Sequence, residues 1–453
     1  MFQKFTIELP NINRKEYNIT DYGAVSGGVV SNTKAFSTAV EFASETGGRV
    51  IVPDGIWLTG PIELKSGVEL HLEDNAVILF DKNAEEYPLI ETDFEGIKRI
   101  RTVSPIYAEN AHDIAITGKG VIDGSGHLWR PVKHFKVTER QWNGLLQKSP
   151  YILGNNEGGM WVPTETIFEG RNYGEVFPDH EGALKEAAPY YDFYRPVMVS
   201  LKNCKRVLIE DVQLQNSPAW CLHPYFCEDV TVKGVRINNP YYAQNGDGID
   251  IESCKNVEVC YCNFTTGDDG ICIKSGKGAE AREISGPCEN VHIHHCYVGH
   301  SHGGFVIGSE MSRGVRNVLV EDCTFMDSDI GIRMKSTIGR GGVVENITMR
   351  RINMVNMLQE AVIMTMNYVH HNINYNEVVE ESEKPEDIPV FRDMYVESCS
   401  CKGAKTGVKI AGLSGKPYTI RNVKFKNCEF SAEKSNELYD CEEITFENCT
   451  FSR

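Results

Sequence analysis

The feature that most constrains this chain is a repeat of four apolar positions. Val207, Val230, Val257, Val291, Val318, Ile347, Val423 and Ile444 each open a unit. Two residues on stand Ile209, Val232, Val259, Ile293, Val320, Met349, Phe425 and Phe446. Five on stand Val212, Val235, Cys262, Cys296, Cys323, Ile352, Cys428 and Cys449, and seven on stand Leu214, Ile237, Phe264, Val298, Phe325, Met354, Phe430 and Phe451. All 32 positions are apolar or Cys. Alternation with period two, a break, and alternation again predicts two short strands joined by a bend. From Val207 to Ile347 the steps are 23, 27, 34, 27 and 29 residues. Units of this length cannot bury their own faces and must stack. The expected fold is therefore all-β, a solenoid of β-coils, most simply a parallel β-helix, with the extra residues of longer steps forming loops on one side.

The rest of the chain reads as one domain over residues 1–453 built around that stack. Residues 17–80 form an entry module. Phe36, Ala39, Val40 and Ala43 have helix spacing between Thr33 and Ser44, and Gly47-Gly48 ends the run. A helix here would be an N-terminal capping helix over the open end of the solenoid. Strands follow at Arg49–Pro53, Trp57–Leu58, Val68–Leu72, Val77–Phe80, Ile114–Thr117 and Val121–Ile122. Residues 127–196 break the pattern and are rich in aromatics, among them Trp129, Trp142, Trp161 and Tyr190. That length and aromatic content leave two readings that can both hold: a packed side structure stabilising one flank, and a wall that narrows the groove and stacks on the rings of a ligand. Coils resume over 197–453. A second insertion, roughly His370 to Pro389, holds Glu377, Glu380, Glu381, Glu383 and Glu386 and reads as a solvated acidic loop.

The formal charge of −17 argues against nucleic-acid binding and against docking on an anionic membrane. A polyanionic ligand would need local cations to hold it. No apolar run is long enough to span a bilayer. Met1-Phe2-Gln3-Lys4 does not open a secretory signal, which predicts a cytoplasmic protein, or a secreted or periplasmic one if a signal has been removed. Five of the 15 cysteines share a rung of the repeat with Val and Ile, so they read as small buried hydrophobes rather than disulfide partners or metal ligands. Unpaired thiols fit a reducing compartment.

Four polar motifs fall at coil spacing: Asn245-Gly246-Asp247, Gly267-Asp268-Asp269-Gly270, His302-Gly303-Gly304 and Arg333-Met334-Lys335. Asp247 and Asp268 are 21 residues apart, Asp269 and His302 33, and His302 and Arg333 31. Taken singly, an Asp beside Gly is an ordinary turn former. Stacked coils would instead bring all four motifs onto one groove. Arg333 and Lys335, two apart, point to the same side and suit a ligand carboxylate. Gly267 and Gly270 would let the backbone bend around Asp268 and Asp269. Paired carboxylates near one bond are the apparatus of glycoside hydrolysis, one protonated and the others ionised to activate water. His302 could hydrogen-bond the acid and tune it.

In order, these motifs resemble those of the polygalacturonase family, glycoside hydrolase family 28, marked by Asn-Thr-Asp, Asp-Asp, Gly-His-Gly and Arg-Ile-Lys. The resemblance runs from about Tyr17 to the C-terminus and includes Asp123-Gly124-Ser125-Gly126, Asn216-Ser217-Pro218-Ala219-Trp220 and His223-Pro224. It implies a right-handed parallel β-helix and metal-free, cofactor-free, inverting hydrolysis of α-1,4-galacturonic acid linkages in pectic polysaccharides or oligomers. By position Asp268 resembles the general acid, Asp247 and Asp269 the pair that positions water, and His302 the tuning histidine. Arg333, Lys335 and Tyr368 resemble substrate-binding residues, and Asn245 and His223 are expected to join them. Gly246, Ser301 and Met334 depart from the family pattern. Long insertions on one flank predict exo action. Three other readings stay open: a hydrolase of rhamnogalacturonan, a calcium-dependent pectate lyase, and a non-catalytic carbohydrate-binding solenoid.

Overall fold

A computed structural model describes the chain except residues 1, 155–157, 285, 369–370, 373–374, 377–381 and 383, and the side chains of 371–372 and 375–376. Among the described residues the strands line up in three long parallel sheets of 13, 12 and 11 members. Each turn of the chain contributes one strand to each sheet, winding a parallel β-helix with the right-handed sense that parallel β-crossovers take. The repeat positions stack in register: Val207 on Val230, Val230 on Val257, Val257 on Val291, Val291 on Val318, and Val318 on Ile347. They face a continuous apolar core that runs from Tyr17 to Ala432.

Two corrections to the two-strand unit follow. Each coil holds three strands. The third carries its own inward pairs, such as Ile249 and Ile251, Ile271 and Ile273, or Phe305 and Ile307. The inward alternation is clear, but loops of unequal length separate this strand from the next repeat, which hides its period. A coil is also missing from the repeat as read. Met394 pairs with Ile347 on one side and Val423 on the other, and Val396, Cys399 and Cys401 complete its unit. The second insertion precedes it and breaks the spacing. That insertion's acidic run at Glu377, Glu380, Glu381 and Glu383 lies outside the described residues; Glu386 is in a short turn of helix, Pro385–Asp387.

The bend before each repeat position is left-handed. Asn256, Asn290, Asn317, Asn346 and Asn422 all have φ between 52 and 57°. Asn tolerates this conformation better than most L-residues because its short amide can bond locally. Here it does so along the stack: Asn290 donates to Asn256 at 2.9 Å and Asn317 donates to Asn290 at 2.7 Å. All 15 cysteines are free. A second row, Cys204, Cys227, Cys254 and Cys288, packs three residues before the repeat position and its thiols face carbonyls of the same or the preceding coil.

The cap is present as a helix, Thr33–Thr46, with Ala35, Phe36, Ala39, Val40 and Ala43 buried against the first coil and Gly47 ending it. Residues 127–196 do form a packed flank, with helices Glu139–Leu146, Glu165–Tyr173 and Ala183–Ala187 and a small antiparallel sheet. Trp129, Trp142 and Trp161 are buried within it, so they cannot stack on a sugar as the sequence reading expected. An antiparallel hairpin, Leu89–Phe94 with Ile97–Thr102, was not expected at all. Its Ile100 packs with Val176, Ala183, Ala187 and Tyr194, joining hairpin and flank in one apolar cluster.

Asn290→Ala should cost about 2 kcal/mol, combining lost ladder bonds with a β-carbon in a left-handed bend. Asn290→Gly should cost less, because glycine accepts the bend. Urea unfolding midpoints compare them; equal losses would show that the bend conformation carries no weight.

Candidate active site

The site sits on the outward side of the 11-stranded sheet and in the bends that lead into it. Asp247 lies two residues before the strand Ile249–Glu252, and Asp268 and Asp269 lie in the bend before Ile271–Lys274. His302 precedes Phe305–Ile307, and Arg333 and Lys335 lie within Ile332–Lys335. Backbone bonds lock the bends to one another: the His302 amide donates to the Asp268 carbonyl at 3.0 Å, and the Gly248 amide to the Asp269 carbonyl at 2.9 Å. Gly248, Gly270, Gly304 and Gly331 stack here. A β-carbon on Gly248 would lie 2.4 Å from the Gly270 carbonyl, and one on Gly331 2.7 Å from the Ala361 carbonyl. Gly270 is thus required for close approach rather than for an unusual φ.

This stacking brings the predicted residues together. One carboxylate oxygen from each of Asp247, Asp268 and Asp269 lies within 4.8 Å of the other two. Asp268 Oδ1 meets His302 Nδ1 at 3.0 Å. Lys335 donates to Asp269 Oδ2 at 2.7 Å, and Arg333 stands 3.6 Å from Asp269 Oδ1. The Tyr368 ring lies beside both cations, its centroid 5.6 Å from the Arg333 guanidinium and 5.0 Å from Lys335 Nζ.

Two expected binders are engaged by other side chains of the protein. His223 is buried, with Nε2 2.9 Å from Glu252 and its ring between Trp220 and Tyr225. The side-chain oxygen of Asn245 is occupied by Arg195, which donates to it at 2.9 Å and also binds the carbonyls of Pro218 and Gln244. Gly246 leaves no room for a side chain, since a β-carbon there would lie 2.6 Å from that of Ala243.

The environments of the three acids differ. Burial, then the charges of Asp250 and Asp268, push Asp247 well above the ordinary carboxylate range. Its Oδ1 is buried without a hydrogen-bond partner. Burial also pushes Asp268 upward, but His302, Lys136 and Lys335 outweigh it and hold Asp268 below that range. Asp269 is likewise held down, against burial, by Lys335 and Arg333. The raised carboxyl of the free site is therefore Asp247, not Asp268.

Sequence reasoning missed several charged neighbours. Lys274 pairs with Glu310 at 2.9 Å and with Asp250 at 3.5 Å beneath the Trp220 ring. Lys136, from the flanking insertion, reaches His302 Nε2 at 2.8 Å. Lys274 and Asp250 sit on the third strand, which was not recognised, and Lys136 carries no motif. Among the described residues two groups could hold a cation: the three catalytic-type aspartates, and Glu258, His292 and His294 on the 13-stranded sheet.

The family model for glycosyl hydrolases family 28 matches residues 169–380. The chain is 32% identical to the hyperthermoactive exopolygalacturonase of Thermotoga maritima, whose crystal structure superposes with a TM-score of 0.80 over 98% of this chain and 94% of that one. This chain belongs to glycosyl hydrolases family 28. As a family 28 member it is a glycoside hydrolase. It is also 29% identical to the exo-poly-alpha-D-galacturonosidase of Dickeya chrysanthemi over 97% of this chain and 71% of that relative. A probable polygalacturonase of Vitis vinifera is 28% identical over 94% of this chain and 77% of its own. No helix among the described residues is long and apolar enough to cross a membrane.

A raised carboxyl gives its full stability contribution below its unfolded value of 3.8 and loses it as pH rises through the folded value. Asp247→Asn should therefore raise the melting temperature at pH 7, with the gain shrinking toward pH 4, while turnover is lost. Calorimetry at both pH values checks this. A variant less stable than the wild type at pH 7 would contradict it. Asp269 has the opposite sign: its contribution is present above the unfolded value of 3.8 and lost as pH falls through a lower folded value. The stability deficit of Lys335→Met should consequently narrow as urea unfolding is moved from pH 6 to pH 3.

Proposed function

We propose that this glycosidase removes galacturonic acid residues from the ends of pectic chains or oligomers by hydrolysing α-1,4 linkages. The observation that carries the reading is the pairing of two cations with an acid cluster. Lys335 is buried and Arg333 half-buried in a chain that is otherwise strongly acidic, and they stand 2.7 and 3.6 Å from Asp269. An anionic sugar is the ligand that such a pair selects in a protein of net charge −17. The names of the Thermotoga and Dickeya relatives agree with that substrate and with exo action.

End-on attack is supported by the hairpin. Phe94 packs on Trp220 with ring centroids 4.3 Å apart, Lys202 pairs with Asp93 at 2.6 Å, and Arg313 donates to the Gly96 carbonyl at 3.2 Å. The hairpin thus lies over the outward side of the 11-stranded sheet beside the acids and shortens the groove.

In the free site a proton rests most easily on Asp247. A galacturonate carboxylate placed against Arg333 and Lys335 offsets part of the positive charge that keeps Asp268 and Asp269 ionised. The proton then passes to Asp268, whose oxygens lie close to those of Asp247. Asp268 protonates the leaving oxygen as the anomeric carbon–oxygen bond breaks. Water attacks from the opposite face and gives its proton to Asp247 or Asp269. The close approach of the acids is nearer the spacing usual for retention, about 5 Å, than that for inversion, about 6.5–9.5 Å. Inversion is assigned from the family resemblance. A cytoplasmic setting, with imported oligomers as substrate, is the companion proposal. It is supported by 15 unpaired thiols, including rows stacked on adjacent coils.

Timed product analysis on defined oligogalacturonides should show monogalacturonate from the start, with inverted anomeric configuration by NMR, no unsaturated product, and turnover unaffected by chelator. Release of galacturonate from rhamnogalacturonan oligomers but not from oligogalacturonides would overturn the substrate assignment. Asp268→Asn should lower kcat by about 10²–10⁴. Arg333→Ala should act mainly on KM.

A further inference from the structure

We infer that Lys136, which belongs to the flanking insertion and not to any coil, is a positioning residue for the active-site histidine. The inference rests on the reading of Asp268 as the proton donor and deepens it. Lys136 is buried, and its Nζ lies 2.8 Å from His302 Nε2 and 2.8 Å from the Gly267 carbonyl, which accepts from it. A longer contact of 3.4 Å reaches the Tyr241 carbonyl, and the Tyr241 ring lies 5.1 Å below the ammonium. This lysine is held in place by two backbone carbonyls and a ring, and aimed at one nitrogen.

Hydrogen-bond chemistry then dictates the state of the imidazole. An ammonium has only donors to offer, so a contact at this distance requires a lone pair on Nε2. The ring proton must therefore sit on Nδ1, the nitrogen 3.0 Å from Asp268 Oδ1. If the shared proton moves from Nζ to Nε2, lysine becomes the acceptor and Nδ1 still carries its proton. In both forms Asp268 faces an N–H donor and a pair that bears one positive charge. Once Asp268 is protonated it no longer selects the tautomer, and without Lys136 the ring could present a bare Nδ1 to the carboxyl.

The consequence concerns the leaving-group step. Asp268 begins that step protonated and ends it as a carboxylate. A donor and a charge fixed at its oxygen favour the product of the transfer and make Asp268 a stronger acid. The charged groups around this chain of contacts are Asp247, Asp269 and Lys335 beside Asp268, Asp329 4.0 Å from His302 Nε2, and Lys133 near Lys136. Asp329 cannot replace the lysine as it stands, because a carboxylate would pull the ring proton to Nε2.

Lys136→Met should lower kcat on oligogalacturonate about 100-fold with KM within a few-fold. It should also move the alkaline limb of the pH–rate profile upward by about one unit as Asp268 loses the charge. Lys136→Arg, which keeps a donor and a charge, should restore most of both. Nitrogen-15 NMR of the wild-type protein, with the His302 signal assigned by its loss in His302→Gln, should show Nδ1 protonated. In Lys136→Met the Asp268 carboxylate should keep the proton on Nδ1, and the Nε2 signal should move as it loses its ammonium donor. This readout needs no substrate, so it stands apart from whether galacturonate is the sugar released. A wild-type His302 that is neutral with its proton on Nε2 overturns the inference. So does a folded Lys136→Met that keeps the wild-type pH limb and kcat.

Discussion

Register between parallel strands is the constraint on which the rest depends. Neighbouring coils sit about 4.8 Å apart, and every backbone bond that holds one coil to the next also fixes where its bends lie. The acids and the histidine are carried by those bends, and the two cations by the strand that follows. Asp268 and His302 are 34 residues apart in sequence, yet the His302 amide is bonded to the Asp268 carbonyl as part of the ladder. The stacked glycines at 248, 270, 304 and 331 make the approach close enough, since a side chain at those positions would strike the next coil. Catalytic geometry here is thus a by-product of the same bonds that hold the solenoid together.

Burial on this wall sets up an uneven distribution of charge. Three aspartates occupy one small region, but their partners are not shared equally. Asp269 has Lys335 and Arg333, Asp268 has His302 with Lys136 behind it, and Asp247 has no cation in bonding contact and a buried oxygen with no hydrogen-bond partner. Asp269 Oδ1 is likewise buried without a hydrogen-bond partner, but the charges of Lys335 and Arg333 hold that acid down, so a single proton is favoured at Asp247. Below, Asp250 adds to that preference while Lys274, paired with Glu310 and Asp250, opposes it.

The elements outside the coils complete the site from one side. The flank over 127–196 sends Lys136 to the histidine and Arg195 to Asn245, while the hairpin covers the outward sheet beside them. Ile100, Val176, Ala183, Ala187 and Tyr194 join hairpin and flank in one apolar cluster, and Trp142 and Trp161 pack with Val132 in another.

The stack, its apolar rows, the cap helix and the six residues of the acid–histidine–cation set were legible in the sequence, because each follows from periodicity or from motifs at coil spacing. The third strand and the Met394 coil were not, since loops of unequal length shift them against the repeat. The partners of His223 and Asn245 were not legible either, because a polar residue beside a motif looks the same whether it faces a groove or a protein group such as Glu252 or Arg195. Sequence alone determined what must be buried and what must recur, as those depend on local chemistry. Only the tertiary structure decided which carboxyl stands without a cation, that Lys136 from a distant insertion meets His302, and that a hairpin packs on Trp220. Those outcomes depend on distances between segments that share no period, and nothing along the chain encodes them.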